Sequence, residues 1–484
     1  MRLSYRWQFS CLTAVLILAG CASTNDIGPQ STIITSQQLQ LSPRSATASP
    51  VSLTWWTAFN DPQLNALMDG ALRDSPTLKQ ASARIREAQS AVGMANSLNG
   101  PNLDLNGSIR RDRFSQNTIQ PLAPGAPSQP LYETTNQLGL NFSYEFDWWG
   151  KFHNQVNAAK AQVSSLQAER QQSVLTLTSA LAAAYYQLQN DFELQKLLQQ
   201  QTAASQTTAD IQQRQYQAGV VGVEVWQQAA AQVELNRQQL TQIAAHIETL
   251  QHQIAALSGK GIGAATAVRP VTLPASDRLT PPSTLTTDLL SQRPDITAQR
   301  ALIESYEQSV QAARKDFYPS LSITAFAGLT TANFHGDNPT FFEEASRAWN
   351  FAPAISLPIF HAGALRSKLG QESALYDQSV ELYNQTVLNA VQDAADAITQ
   401  QQNAERQYQQ SQLASQAIAR AYRVAQEQYR SGLTGRLPML NSQTQLLQQQ
   451  QAEMNARNVL LQSKIDLIRS LGGGYHASAA QSKA

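Results

Sequence analysis

"YQAGVVG" at 216–222 and "YRSGLTG" at 429–435 are one heptad, Tyr-x-x-Gly-x-x-Gly, written twice at a spacing of 213 residues. Each closes a long run that reads as helix. Residues 151–216 lack Pro and Gly and are dense in Ala, Gln and Leu, and 364–430 repeat the pattern with Gly370 as the one interruption. At 1.5 Å per residue each run predicts a helix of about 100 Å. Shorter helices are expected to return from about 222 to 257 and from 436 to 470, with a further pair near 63–98 and 284–316. Glycine just past a helix is the usual cap and turn residue, so the heptads are the turns of two helical hairpins. Pro438 lies close to the start of its helix, where a missing N–H costs little.

The heptad belongs to a larger duplication. Pro76 and Pro294, like Pro101 and Pro319, are 218 residues apart, whereas Gly150 and Gly363, Gly219 and Gly432, Gly222 and Gly435, and Gly259 and Gly472 are 213 apart. The register therefore slips by five residues between Pro101 and Gly150, and an exposed loop is expected to absorb the difference. A unit of some two hundred residues repeated in tandem is not a short solenoid repeat.

Each unit carries two period-two stretches. Leu103, Leu105 and Ile109 alternate with polar residues, and Leu138, Leu140, Phe142, Tyr144 and Phe146 do the same. The second unit answers with Leu321, Ile323 and Ala325, then with Trp349, Phe351, Ile355, Leu357 and Ile359. Such alternation predicts half-buried strands at about 102–111, 138–146, 320–329 and 349–359, with loops at 112–137 and 330–348. The lengths suit a small soluble sheet and equally a membrane barrel, but four strands cannot close a single-chain barrel, which begins at eight. Spanning strands would thus require several chains to share one barrel. Trp148, Trp149 and Trp349 at the strand ends suit an interfacial aromatic girdle, and equally anchors in a core.

The N-terminus bears on the compartment. Arg2 and Arg6 precede the apolar run "CLTAVLILAG", which is long enough for an export signal and too short for a stable span. Leu18-Ala19-Gly20-Cys21 resembles a bacterial lipobox, which makes Cys21 the acylation site after cleavage of residues 1–20. Cys11 leaves with the signal, so Cys21 is then the only cysteine and cannot form an internal disulfide. Ala22 after the cysteine favours the outer membrane over retention in the inner one. Residues 21–50, polar and rich in Ser, Thr and Pro, read as a tether. The mature chain would carry 33 basic and 35 acidic residues, no field that attracts nucleic acid.

An enzyme has little support. The six histidines form no His-x-x-x-His pair and none lies near a mature cysteine, so neither metal nor cofactor is expected. "GKGIGA" from Gly259 fits a dinucleotide loop in letters but follows a helix rather than a strand.

"WWTAFNDPQL" from Trp55, "SPTL" from Ser75, "YEFDWWGK" from Tyr144, "QRPDI" from Gln292, "FYPSLSITAFAG" from Phe317, "LPIFHAGAL" from Leu357 and the two heptads together resemble the outer membrane factor family, and the lipobox its lipoprotein branch. The likeness runs from about 50 to 472. It implies a mainly α fold with a membrane β-barrel: a homotrimer in which each chain gives four strands to a shared twelve-stranded barrel and its helices to a long periplasmic tunnel. It lays the chain out as a first repeat at 51–260, an equatorial connection at 261–282, a second repeat at 283–472 and a tail at 473–484. The implied function is a passive exit duct for drugs or other small molecules, partnered by a periplasmic adaptor and an inner-membrane pump. Residues that match the family's adaptor-docking tips are Gly219, Val220, Val221, Gly432, Leu433 and Thr434. Those that match its periplasmic gate are Arg430 and Leu437, with Asn441 where the lipoprotein branch places Asp and Pro438 where another branch does. A ring of Asn would not attract cations as a ring of Asp does. The alternatives are a periplasmic lipoprotein scaffold without a pore and the outer membrane duct of a non-drug exporter, and "YEFDWWGK" looks more like members that serve fusaric-acid or aromatic-acid exporters.

Overall fold

The computed structural model describes residues 26–35, 37–39, 52–115, 131–263, 268–271, 293–333 and 341–475. The signal sequence, Cys21 and most of the tether, the connection and the tail lie outside these residues. In chain order the described elements are a 3-10 turn (Trp55–Phe59), α1 (Pro62–Asp74), α2 (Pro76–Ser97), β1 (Asn102–Arg113), β2 (Tyr132–Phe146), α3 (Lys151–Gln217) and α4 (Val223–Leu257). The second half follows the same order: α5 (Pro294–Lys315), β3 (Ser320–Asn333), β4 (Arg347–Ser356), α6 (Ala364–Arg430) and α7 (Arg436–Ser470), with a 3-10 turn at Glu344–Ser346. The long helices α3 and α6 have 67 residues each and the return helices α4 and α7 have 35 each. Gly370 does not interrupt α6. The expected first helix is instead two, because Pro76 cannot extend α1 and opens α2. None of the described helices is long and apolar enough to cross a membrane.

The chain divides into two compact units. One, drawn from 86–163 and 301–381 with the described residues 26–32, contains the sheet. Its four strands lie in the order β1-β2-β3-β4, every pair antiparallel. The duplication's five-residue slip falls between paired strands: the β1–β2 connection, 114–131, is five residues longer than the β3–β4 connection, 334–346. The strands outrun the alternation that predicts them. β2 begins at Tyr132 and β3 ends at Asn333, because the hydrogen-bond ladder continues through Thr134–Asn333 after the apolar pattern has stopped. β4 ends at Ser356, ahead of Pro358, so Leu357 and Ile359 fall outside it.

The other unit, drawn from 33–85, 164–300 and 382–484, is helical. Its main core gathers Trp55, Trp56 and Phe59 with Leu64 and Met68 of α1, Leu181, Tyr185 and Tyr186 of α3, Ile254 of α4 and Ile465 of α7. Val268 joins it, and the backbone at 269–271 is gripped by two glutamines: Gln63 and Gln189 donate to the Arg269 carbonyl and accept from Arg269 N and Val271 N. Gln and Asn also link the long helices. Gln451 donates to Gln201, Asn458 to Gln187, and Gln462 to the Ala183 carbonyl. Uncharged amides thus join α3 to α7 without the desolvation cost of ion pairs.

Within residues 21–50 the described part is not a free linker. Asp26 pairs with Arg366 at 2.6 Å, Ile27 packs on Val310, Ala313 and Leu369, and Gln30 N and Ser31 N both donate to Asp377. Ile34 N donates to Asn384, and Ile34 and Leu39 cover Ile296, Val387 and Ala390. Asp377 and Asn384 stand two turns apart on one face of α6, which lets them serve an extended backbone.

Candidate functional site

The two heptads fold alike. Val220 N donates to the Gln215 carbonyl at 2.8 Å and Gly219 N to Tyr216 at 2.9 Å; Leu433 N donates to Gln428 at 2.9 Å and Gly432 N to Tyr429 at 3.1 Å. This is the Schellman arrangement, which needs a left-handed residue after the helix. Gly219 (φ 70°) and Gly432 (φ 73°) supply it. The second glycines are different. Gly222 (φ −74°) and Gly435 (φ −71°) are extended N-caps without a side-chain cap bond, a conformation open to any residue. Beside them Val220 and Leu433 are exposed, at 69% and 77%, and Val221 and Thr434 are half-buried. Each turn therefore presents one bare aliphatic side chain.

The first turn carries a brace that the heptad does not announce. Tyr216 stacks on Trp226 with centroids 5.6 Å apart and planes at 14°. The position matching Trp226 in the second repeat is Met439, so aromatic stacking is confined to the first hairpin.

Around the second turn, Arg430 pairs with Glu427 at 3.0 Å on an exposed face. Pro438 and Asn441 are exposed and Leu437 is half-buried, while Leu440 beside them is buried. Arg430, Pro438 and Asn441 are therefore not consumed by packing within the chain, and Leu440 is the buried residue of this stretch.

In the sheet, most apolar and most polar side chains fall on opposite faces, with Phe326 an exception on the polar one. Leu103, Leu105, Leu138, Leu140, Phe142, Leu321, Ile323, Trp349, Phe351 and Ile355 share one, and Ile109 and Trp349 are 82% and 80% exposed there. Asp104, Asn106, Ser108, Asn141, Ser143, Ser322 and Thr324 share the other. β1 and β4 each have one neighbour, so both outer edges are open. Trp149 follows the helix-side end of β2, where it stacks on Tyr318 at 5.0 Å and donates its indole N–H to the Pro319 carbonyl. Trp148 beside it is exposed, and Trp349 lies near the opposite, loop-side end. Among the described residues no cluster of His, Cys, Asp or Glu is placed to hold a metal ion.

Comparison with known proteins agrees with this arrangement. Residues 67–260 and 285–473 match, as two segments, the family described as outer membrane efflux protein. The chain is 30% identical over 482 residues to the multidrug resistance outer membrane protein MdtP of Escherichia coli K12, covering 98% of this chain and 97% of that one. It is 31% identical over 370 residues to the fusaric acid resistance protein FusA of Burkholderia cepacia, covering 75% of this chain and 68% of that one. The crystal structure of the Campylobacter jejuni CmeC outer membrane channel superposes with a TM-score of 0.81 at 26% identity, over 94% of this chain and 97% of that one. With the helical repeats, the four-stranded sheet and the tandem match in place, the chain belongs to the outer membrane efflux protein family, whose members are outer membrane channel proteins and not enzymes.

Proposed function

We propose that three copies of this chain form one passive duct, each giving β1 to β4 to a twelve-stranded barrel and its long helices to a periplasmic tunnel. The observation that carries this is the sheet: one face of bare apolar side chains, one polar face, and two open edges. An exposed apolar sheet with unpaired edges aggregates in water, but in lipid it becomes the outer wall of a barrel once further strands close it. The stretch Leu138 to Phe146, at about 3.3 Å per residue and tilted, covers the ~25 Å apolar band of such barrels. Trp148 and Trp149 at one end and Trp349 at the other suit the two interfacial girdles. Cys21 supplies the lipid anchor in this scheme.

At the hairpin turns Gly219, Val220, Val221, Gly432, Leu433 and Thr434 meet a periplasmic adaptor, which couples the duct to an inner-membrane pump. Exposed Val220 and Leu433 suit apolar anchoring, and the two matched turns per chain give six per trimer. Arg430, Leu437, Pro438 and Asn441 form the periplasmic gate, with Leu437 as its constriction. The cargo is a drug or another small molecule, in keeping with relatives named for multidrug and fusaric acid resistance. The chain follows the layout of signal 1–20, tether 21–50, repeats 51–260 and 283–472, connection 261–282 and tail 473–484.

The test is single-channel conductance of the purified, lipidated protein in a planar bilayer, with Leu437→Ala beside the wild type. Small currents that grow in Leu437→Ala support a gated duct. Absence of any channel from the folded, assembled protein would overturn it and leave a scaffold without a pore.

A further inference from the structure

Phe326 is out of place. It lies on the polar face of the sheet with Ser322, Thr324 and Thr330, yet it is an aromatic ring only 9% exposed. On one face the ring lies over a gap in the side-chain layer of the sheet. Gly139 of β2 stands directly opposite Gly328 of β3, and the ring rests on Gly139. A Cβ at Gly139 would run into the ring, coming within 2.6 Å of Phe326 Cζ, and would sit 2.9 Å from the Ala327 carbonyl oxygen. A Cβ at Gly328 would strike the Leu138 carbonyl and come within 2.5 Å of Gly139 Cα. The two strands thus approach too closely for a side chain at either glycine, and the Phe326 ring lies in the recess left where a Gly139 side chain would stand.

The trio is not inherited from the duplication. At the corresponding register Phe326 and Gly328 match Ser108 and Arg110, and Gly139 matches Ala352. Glycine weakens a strand because it offers no side chain to pack, so a facing pair in the middle of a sheet is costly and calls for a compensating role. An aromatic ring laid over a strand glycine restores part of the lost packing.

We infer that Gly139 and Gly328 form a recess that holds Phe326 flat against the inner wall of the barrel, and that this keeps three rings per trimer out of the duct. The inference rests on the trimeric-duct reading, since the polar face faces the lumen only if the apolar face meets lipid. A side chain at position 139 turns the ring off the wall about χ1 and into the space that cargo crosses. Gly139 and Gly328 are then positioning residues for Phe326, and only an unseated Phe326 narrows the bore.

The experiment measures bilayer conductance of the full-length trimer in a Leu437→Ala background, so that the gate does not dominate the resistance. Gly139→Ala is expected to lower conductance, and Gly139→Ala with Phe326→Ala to restore it. A Gly139→Ala channel that conducts as well as its parent, or a double variant that stays low, overturns the inference while leaving the duct intact. A folded Leu437→Ala trimer with no conductance overturns the duct reading and this inference with it. If Gly139→Ala does not assemble, Phe326→Trp takes its place, keeping both glycines and overfilling the recess. Reduced conductance then supports the inference and unchanged conductance refutes it.

Discussion

Tyr185 donates its hydroxyl proton to Asp61 Oδ2 at 2.7 Å, tying the middle of α3 to the residue that caps α1. Asp61 uses its other oxygen for the amides of Gln63 and Leu64, and Gln63 in turn donates to the Tyr185 hydroxyl and to the Arg269 carbonyl. Tyr185→Phe leaves a nearly buried carboxylate oxygen without its partner and is expected to cost about 1–3 kcal/mol. Burial, and then the bond to Asp61, raises the Tyr185 phenol well above its ordinary value. With the folded pKa raised, this contribution is complete below about pH 10 and is lost as pH rises further. Thermal melts at pH 8 and above pH 10 check both points: Tyr185→Phe should melt lower at pH 8 and lose less on going alkaline.

The turn glycines should separate stability from function. Gly432→Ala forces a Cβ into a left-handed conformation and is expected to cost about 1–2 kcal/mol. Gly435→Ser meets open space at an N-cap and should be neutral or stabilising by a few tenths of a kcal/mol. If the turn docks a partner, Gly435→Ser should nonetheless reduce drug export in cells, because its side chain occupies the contact. Full export with Gly435→Ser would remove that role from the second glycine.

Arg293 is nearly buried, bidentate on Asp295 and donating to the Ser470 carbonyl at 2.7 Å. Arg293→Ala strips a paired carboxylate and a helix-end carbonyl of their donor, and the expected cost is about 3 kcal/mol. Arg293→Lys should recover little of it, since an ammonium cannot reproduce the planar fork. Comparing the detergent-solubilised melting temperatures of the two variants decides between charge and geometry.

Asp377 accepts two successive backbone amides of the N-terminal segment. Asp377→Ala should release that segment, read as faster limited proteolysis within residues 26–39. The bond to Arg366 holds Asp26 below the usual carboxylate range, so the Asp26–Arg366 pair is present above about pH 4 and is lost as pH falls through the depressed value. Proteolysis rates equal to wild type would show that the segment's other contacts, the Asp26–Arg366 pair, the Ile34–Asn384 bond and the packing of Ile27, Ile34 and Leu39, hold it without Asp377.

In the proposed gate, Asn441→Asp is expected to strengthen the channel's preference for cations, because three carboxylates would ring the opening. Reversal potentials in a salt gradient measure it, and an unchanged value would place residue 441 away from the ion path.

The long helices were legible because Ala, Gln and Leu continue for 67 residues with Gly370 of α6 as the one breaker, and the strands because apolar and polar residues alternate along them. The alternation marks where side chains turn apolar rather than where backbones stop pairing, which is why β2 extends six residues upstream of Leu138. Both turns were legible through glycine, though only Gly219 and Gly432 need it. The Tyr216–Trp226 stack was not, since it depends on how the turn phases two helices, nor were the amide contacts of α7 with α3 and the recess beneath Phe326, which depend on register between distant segments. The N-terminal segment misled because its polar composition conceals Ile27, Ile34 and Leu39, which meet apolar patches once α6 exists.

The paired helix lengths impose a rule of inheritance. Each insertion of seven residues displaces a turn by about 10 Å along its helix. A change in α3 alone must be matched in α4 to close its own hairpin, and then in α6 and α7 if the two turns are to reach one level. Length in this chain can therefore drift only by fourfold events, and the 67-and-35 pattern, kept in both repeats while the connecting loops differ by five residues, is a caliper that loops escape and helices do not.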